Sequence, residues 1–393
     1  MQKKGMRILI LYDFPIRGGG SGYYVKYLIK RLKESRKNKV GIVLPDINKI
    51  DDVDAIYTVP IESPPVFIGR PGLEKSKRYS EISAQTIADH YAKYIQTTIK
   101  AVGDFKPDVI HVHHMGINAW AARFVKATLG IPYIATSHGS CLANIMNDRR
   151  YYLLSKDSMR GASYITLVSG DSREKFVKLF GTEFNRKLRT IPGGVAVSLF
   201  PKQISQKEKL ELRKKYHFPD GPLVFFTGRL ISEKGVDYLI KAAQKIKANI
   251  VIVGDGSMKS SYQEMIKKMD IHNVTLLGYV EHEKLIRMYY LADVYVAPSI
   301  WDDPMPLTII EAMASQSALV VTKKGGIPLA VKNNYNGLFV RTRNASDIAE
   351  KVNYLLSQPE LRRKMGERSR KIVENKFTWT KIATRFYNLY TKA

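Results

Sequence analysis

The chain has 393 residues, too many for one ordinary hydrophobic core and suited to two domains. Hydrophobic residues at 45% and charged residues at 25% exclude a disordered or fibrous chain. The formal charge of +27, about half of it in residues 1–200, is general rather than a basic tail. Such a charge attracts nucleic acid, anionic lipid or phosphorylated substrates; a uniformly solvated basic surface is the alternative. The single cysteine, Cys141, excludes an internal disulfide framework and suits a reducing compartment. The apolar run at 8–11 is too short for a secretory signal, and no stretch approaches the ~20 apolar residues of a membrane span. A cytoplasmic protein that does not cross a membrane is expected.

Residues 7–12 read as a buried strand and 17–22 as a glycine loop. A helix follows at 23–37, with Val25, Leu28, Ile29 and Leu32 at helical spacing. A continuous apolar strand feeding a helix marks a parallel sheet covered on both faces. Residues 45–80, rich in proline and in both charge signs, read as an irregular insertion. The pattern resumes with a strand at 107–113, a helix at 118–129 closed by Gly130 and Pro132, strands at 132–136 and 164–169, and a helix at 172–180. A break comes at Ile191-Pro192-Gly193-Gly194, followed by a charged helix-like stretch at 202–216. Strands are then predicted at 223–227, 249–253, 274–277, 294–297 and 318–322, with helices at 235–246, 258–269, 284–291 and 307–314. This order predicts two doubly wound α/β domains with a hinge within 192–220. Ligands of such sheets bind at the carboxyl ends of strands, and each motif below follows a strand.

The segment from Pro298 to Ala314 ends a strand, carries carboxylates in a loop, and opens a helix near Pro306. The helix N-terminus suits a phosphate, with Asp303 just before it and Glu311 about a turn and a half inside it. The two carboxylates suit sugar hydroxyls and a ribose; an acidic N-cap region and one buried glutamate would look the same. In Gly228-Arg229-Leu230-Ile231-Ser232-Glu233-Lys234-Gly235, Arg229 and Lys234 share a strand-to-helix loop. Together they suit a diphosphate, Arg as a planar fork and Lys as a point charge, without a metal. Two solvated cations are the alternative. Gly18-Gly19-Gly20 and Gly254-Asp255-Gly256 are weaker phosphate-loop candidates that also read as turns. His111, His113, His114 and His138 crowd two strand ends, but no spacing among them supports a metal site. His138, just before Gly139, suits contact with a polar ligand. Cys141 reads as a small buried residue rather than a nucleophile.

Taken together, these pieces resemble glycosyltransferase family 4 along almost the whole chain. The matches are Gly-Gly-Gly-Ser-Gly after the first strand, Asp108-Val109-Ile110-His111-Val112-His113-His114, Thr136-Ser137-His138-Gly139, Ile191-Pro192-Gly193-Gly194-Val195, Gly228-Arg229-Leu230 with Glu233-Lys234-Gly235, Val253-Gly254-Asp255-Gly256, Gly278-Tyr279-Val280, Ala292-Asp293-Val294, and the run from Asp303 to Glu311. The resemblance implies the glycosyltransferase B architecture, α/β with two Rossmann-like doubly wound domains facing a central cleft. Residues 1–195 would be the acceptor-side domain, with a helix at 380–393 packing back on it, and 196–379 the nucleotide-sugar donor domain. It implies transfer with retention and without a metal or other cofactor, the nucleotide-diphosphate sugar being a co-substrate. By carry-over, Arg229 and Lys234 bind the donor diphosphate, which Gly20 approaches. Glu311 holds the ribose, Asp303 the sugar, His138 lies near the reacting carbon, and Val280 meets the base through its backbone. Gly19, Gly228, Gly254, Leu307 and Thr308 complete the implied donor set. Two positions depart from the pattern. Asp303 stands where the family has Glu, and Pro192-Gly193-Gly194-Val195-Ala196 stands for Pro-Asn-Gly-Val-Asp.

The expected reaction is sugar transfer to a hydroxyl of an acceptor, a lipid-linked or cell-envelope glycan. A non-catalytic nucleotide-sugar-binding relative and a sugar-nucleotide epimerase on the same architecture are the alternatives. No nucleic-acid module is present. Lys26, Lys30, Lys33 and Lys37 form a stripe on the first helix beside Tyr23, Tyr24 and Tyr27. With Arg70, Lys75, Lys77 and Arg78 they predict peripheral contact with an anionic membrane face.

Overall fold

The computed structural model describes residues 5–16, 19–46, 50–67, 73 and 76–393. Arg17 and Gly18 of the glycine loop, and Arg70 and Lys75 of the second basic cluster, lie outside the described residues. The chain divides into two compact units, Met1–Gly193 with Trp379–Ala393, and Gly194–Thr378.

In the first unit the strands are β1 (Arg7–Leu11), β2 (Lys39–Leu44), β3 (Ala55–Thr58), β4 (Val109–His113), β5 (Tyr133–Ser137), β6 (Tyr164–Leu167) and β7 (Leu188–Thr190). Among the described residues they form one parallel sheet in the order β3-β2-β1-β4-β5-β6-β7. The order reverses between β1 and β4, which makes the loops after these two strands the place where a crevice opens in such sheets. Ile8, Leu9, Ile10 and Leu11 are all fully buried, as a strand covered on both faces requires. The segment read as an irregular insertion contributes β3 at the sheet edge.

Helix Gly20–Arg36 starts three residues earlier than its apolar spacing indicates. It buries Val25, Leu28, Ile29 and Leu32 against the sheet. Each fully buried aliphatic side chain contributes about 1.5–3 kcal/mol. Helix Trp379–Tyr390 belongs to this unit and packs on helix Gly20–Arg36. Trp379 meets Tyr24 edge-on, with ring centroids 5.0 Å apart, and stacks on Tyr27 at 6.0 Å. The tyrosines of the first helix are thus packing residues: Tyr24 is buried, and Tyr23 stacks on Tyr27.

In the second unit the strands are β8 (Leu223–Thr227), β9 (Asn249–Val253), β10 (Val274–Gly278), β11 (Val294–Ala297), β12 (Ala318–Thr322) and β13 (Gly337–Val340). They form a parallel sheet in the order β10-β9-β8-β11-β12-β13 among the described residues. Alternate side chains fill two cores. Phe225, Val251, Tyr295 and Leu319 face one layer, and Val224, Ile250, Ile252, Val294 and Val320 the other. The order reverses between β8 and β11, so the loops after these strands flank the switch point.

Candidate functional site

The second unit gathers most of the expected residues at the carboxyl edge of its sheet. After β8, the loop 228–235 closes with a tight turn at Ser232–Lys234 and Gly235 in the left-handed region, φ 65°. A side chain at Gly235 would strike the Pro298 carbonyl, so glycine lets this loop lie directly on the loop after β11. Two hydrogen bonds stitch the loops together, from the N–H groups of Ile300 (3.0 Å) and Trp301 (3.3 Å) to the Glu233 carbonyl. That contact brings Lys234 into an ion pair with Asp303, both side chains being largely buried. Asp303 is further fixed through its backbone: its carbonyl accepts from Gly326 N–H at 2.7 Å. Neighbouring Asp302 pairs with Lys324 at 3.1 Å. Arg229 is half-buried in the same loop.

Glu311 lies in helix Leu307–Ala314, with both carboxylate oxygens engaged. Oε1 meets His282 Nε2 at 2.7 Å, and Oε2 accepts from the Tyr289 hydroxyl at 2.8 Å. The Tyr289 hydroxyl also meets Thr227 Oγ1 at 2.8 Å, and Thr227 Oγ1 lies 3.1 Å from the Tyr295 hydroxyl. Thr308 hydrogen-bonds the same Tyr295 hydroxyl. Burial, reinforced by the nearby Glu311 charge, pushes the Tyr289 phenol well above its usual range, so it stays a proton donor. His282 and Tyr289 escape sequence reasoning because neither lies in a loop that reads as a motif. The only hint is that His282 follows Val280 by two residues.

Gly228 and Gly254 sit at the ends of β8 and β9 with their backbones in direct contact. Gly228 N–H donates to the Val253 carbonyl at 3.0 Å, and Gly254 N–H to the Gly278 carbonyl at 2.8 Å. Gly254 has φ 144°, and an added Cβ would overlap the Gly228 carbonyl. Val280 is half-buried just beyond β10, next to the exposed Tyr279. Leu307 opens its helix directly after Pro306. Asp255 points elsewhere, to Lys259 at 2.9 Å; that hydrogen bond holds its carboxyl below the usual range.

The first unit assembles a histidine cluster at its own switch point, at the ends of β4 and β5. His111 is fully buried and structural, with Nδ1 2.7 Å from the Tyr390 hydroxyl and Nε2 2.7 Å from Thr136 Oγ1. His113 Nδ1 lies 3.0 Å from His138 Nε2, the two rings stacking. His114 packs between Tyr12, Phe14 and Phe67. Only His138 in this group is partly exposed, directly before Gly139 and helix Ser140–Asn147. Cys141 is buried against Ser137 Oγ at 3.2 Å, and burial pushes its thiol up, opposite to what a nucleophile needs. Gly19 precedes and Gly20 opens helix Gly20–Arg36, and a side chain at Gly20 would meet open space. Among the described residues no group of three or more His, Cys, Asp or Glu is disposed to hold a metal.

Known proteins match this chain along nearly its whole length. Residues 18–199 match the model of Glycosyltransferase Family 4, and residues 208–372 that of Glycosyl transferases group 1. An uncharacterized glycosyltransferase of Methanocaldococcus jannaschii is 28% identical, with 97% of each chain aligned. The GDP-mannose-dependent alpha-(1-6)-phosphatidylinositol monomannoside mannosyltransferase of Mycobacterium tuberculosis is 26% identical over 96% of each chain. The solved structure of Anabaena HepE with UDP has a TM-score of 0.79 at 18% identity, covering 99% of this chain and 100% of that one. The latter likeness is one of fold, the glycosyltransferase B class. Two consecutive matching models, full-length relatives and the paired α/β sheets lead to one conclusion: the chain is a glycosyltransferase and belongs to glycosyltransferase family 4.

Proposed function

We propose that the protein transfers a sugar from a nucleotide-diphosphate donor to an acceptor hydroxyl with retention of configuration and without a metal. The observation that carries this reading is the meeting of Lys234 and Asp303 at the switch point of the second sheet, with Glu311 on the adjoining helix. In this reading Arg229 and Lys234 hold the diphosphate, Glu311 the ribose and Asp303 the sugar. Val280 meets the base through its backbone, and Gly228, Gly254, Leu307 and Thr308 line the donor. The bond from the anomeric carbon to the diphosphate oxygen breaks, and the acceptor oxygen bonds that carbon on the same face. The acceptor proton passes to the departing diphosphate. Preorganised cations stabilise the negative charge that develops on the leaving group. Support comes from a fold neighbour solved with UDP and from a relative named as using GDP-mannose.

The test is a donor screen. UDP-, GDP- and ADP-sugars are offered with and without excess chelator, nucleoside diphosphate release is followed, and the product anomer is read by NMR. One donor should be consumed at the same rate in chelator, giving a product with the donor's anomeric configuration. An inverted product, or dependence on added metal, would sink the corresponding part of the reading; an epimerised donor and no transfer would replace it.

A lipid-linked acceptor at an anionic cytoplasmic membrane face fits two observations. The mannosyltransferase relative is named for phosphatidylinositol monomannoside, and Lys26 and Lys30 are exposed on one helix with Lys37 exposed at its C-cap. Lys33 of the same stripe is instead paired with Asp54 at 3.0 Å. Among the described residues no helix is long and apolar enough to cross a membrane. Each cation near an anionic leaflet contributes about 1 kcal/mol, so three exposed lysines give weak, reversible binding. Co-sedimentation should require anionic vesicles, fall as salt rises, and weaken when Lys26, Lys30 and Lys37 become Gln. Equal binding to neutral vesicles, or none to either, ends this part of the reading.

A further inference from the structure

The contact between His113 and His138 contains a choice about one proton. His113 Nδ1 and His138 Nε2 are 3.0 Å apart, a hydrogen bond in which one ring donates and the other accepts. His113 is fully buried, and its other nitrogen, Nε2, has no hydrogen-bond partner among the described residues. Burial, with His111, His138 and His114 adding to it, lowers the affinity of His113 for a second proton, so the ring is neutral. A neutral imidazole carries one proton. If His138 donated from Nε2, the His113 proton would sit on its own Nε2, as a buried N–H with nothing to accept it. If His113 donates from Nδ1, the unmatched atom is only a lone pair. Orphaned buried N–H groups are the rarer and costlier of the two. The proton therefore lies on His113 Nδ1. His138 accepts it at Nε2, and neutral His138 must carry its own proton on Nδ1.

The surroundings hold this arrangement in place. His111 lies tilted against His113 with ring centroids 4.1 Å apart, and is itself tied at both nitrogens, to Tyr390 and Thr136. Tyr24 stands edge-on to His138 at 4.8 Å and to His113 at 5.8 Å. The Asn118 amide donates to the His113 carbonyl at 2.5 Å, which fixes the backbone at the end of β4. Turning either ring over would break the hydrogen bond between His113 Nδ1 and His138 Nε2.

We propose that His113 is a positioning residue that fixes His138 in its Nδ1–H form, so that His138 meets the substrate sugar as a neutral hydrogen-bond donor and not as a base. The second half of this statement rests on the transferase reading above; the first half does not. A donor fixed before substrate arrives needs no reorganisation during the reaction.

The experiment is long-range ¹H–¹⁵N NMR of the whole protein labelled at histidine, which distinguishes protonated from bare ring nitrogens. The His138 signals are assigned as those absent from a His138→Gln variant. At neutral pH His138 should carry its proton on Nδ1. His113→Phe keeps a ring in the core but has no proton to give, so the Nε2–H form of His138 should appear. Transfer should then drop roughly 10- to 100-fold, the range for losing an outer partner that orients a reacting group. His113→Asn returns an N–H near the Nδ1 position and should restore both the Nδ1–H form and most of the rate. His138 protonated on Nε2 in the unaltered protein, or unchanged in His113→Phe, overturns the proposal. If the spectra follow expectation while no variant transfers sugar, the transferase reading fails and the assignment of His113 stands.

Discussion

Lys234→Ala should lower the rate of sugar transfer at least ~100-fold, the scale for losing one group that stabilises developing negative charge. The ammonium sits in a loop held by backbone bonds to the loop after β11, so it is preorganised rather than recruited from solvent. Arg229→Ala should act in the same direction, since Arg229 shares that loop. Lys234 is paired with Asp303. A diphosphate must therefore share or displace that carboxylate, and the two anions compete for one cation. Asp303→Asn should accordingly bind the nucleoside diphosphate more tightly while transferring sugar more slowly. Melting curves provide the control, because removing Lys234 leaves a largely buried carboxylate without its partner, a cost in stability separate from chemistry. Near-normal turnover of Lys234→Ala and Arg229→Ala, both folded, would falsify the assignment.

Gly254→Ala should have the largest effect on stability among the glycines of the site. Its φ of 144° is a conformation that L side chains rarely adopt, and the new methyl would overlap the Gly228 carbonyl. Neither backbone is free to retreat, since Gly254 N–H is bonded to Gly278 and Gly228 N–H to Val253. Strain of about 1–3 kcal/mol and overpacking of similar size add to roughly 2–6 kcal/mol, a large share of a typical domain's stability. The contrast is Gly20→Ala. That glycine is helical and faces open space, so alanine there should leave stability unchanged or raise it slightly. Thermal or urea unfolding of the two variants checks the pair. Equal melting points would show that the strand ends around Gly228 and Gly254 yield more easily than their hydrogen bonds indicate.

Strands buried on both faces were legible as continuous apolar runs: 223–227, 249–253, 294–297 and 318–322 coincide with β8, β9, β11 and β12. β3 was not, because it lies at the sheet edge and its residues alternate between half-buried and exposed, leaving no apolar run to see. Helix Ala84–Phe105 was equally hidden. Its buried stripe of Tyr94, Thr98, Ala101, Val102 and Phe105 is confined to the second half and includes a threonine. At the site, loops after strands pointed to Lys234, Asp303 and Glu311. Their partnerships could not be read the same way. Lys234 meets Asp303 across 69 positions, and Glu311 meets Tyr289 and His282 across 22 and 29. Such pairings depend on which strands neighbour each other, and no local periodicity encodes that.

Helix Trp379–Tyr390 completes a core whose other parts end at Gly193. Trp379, Ile382, Phe386 and Tyr390 are buried in that core, and Tyr390 supplies the hydroxyl bonded to His111. During synthesis the ribosome makes all of Gly194–Thr378 before this helix exists. Domains usually mature in the order in which they emerge. Here the order is inverted. The second unit, contiguous in the chain, has all its residues first. Until the helix arrives, the first unit lacks the cover that Trp379 gives to Tyr24 and Tyr27, for the time needed to add the 185 residues of Gly194–Thr378. That interval is when a nascent chain of this protein is most exposed to chaperones, proteases and aggregation.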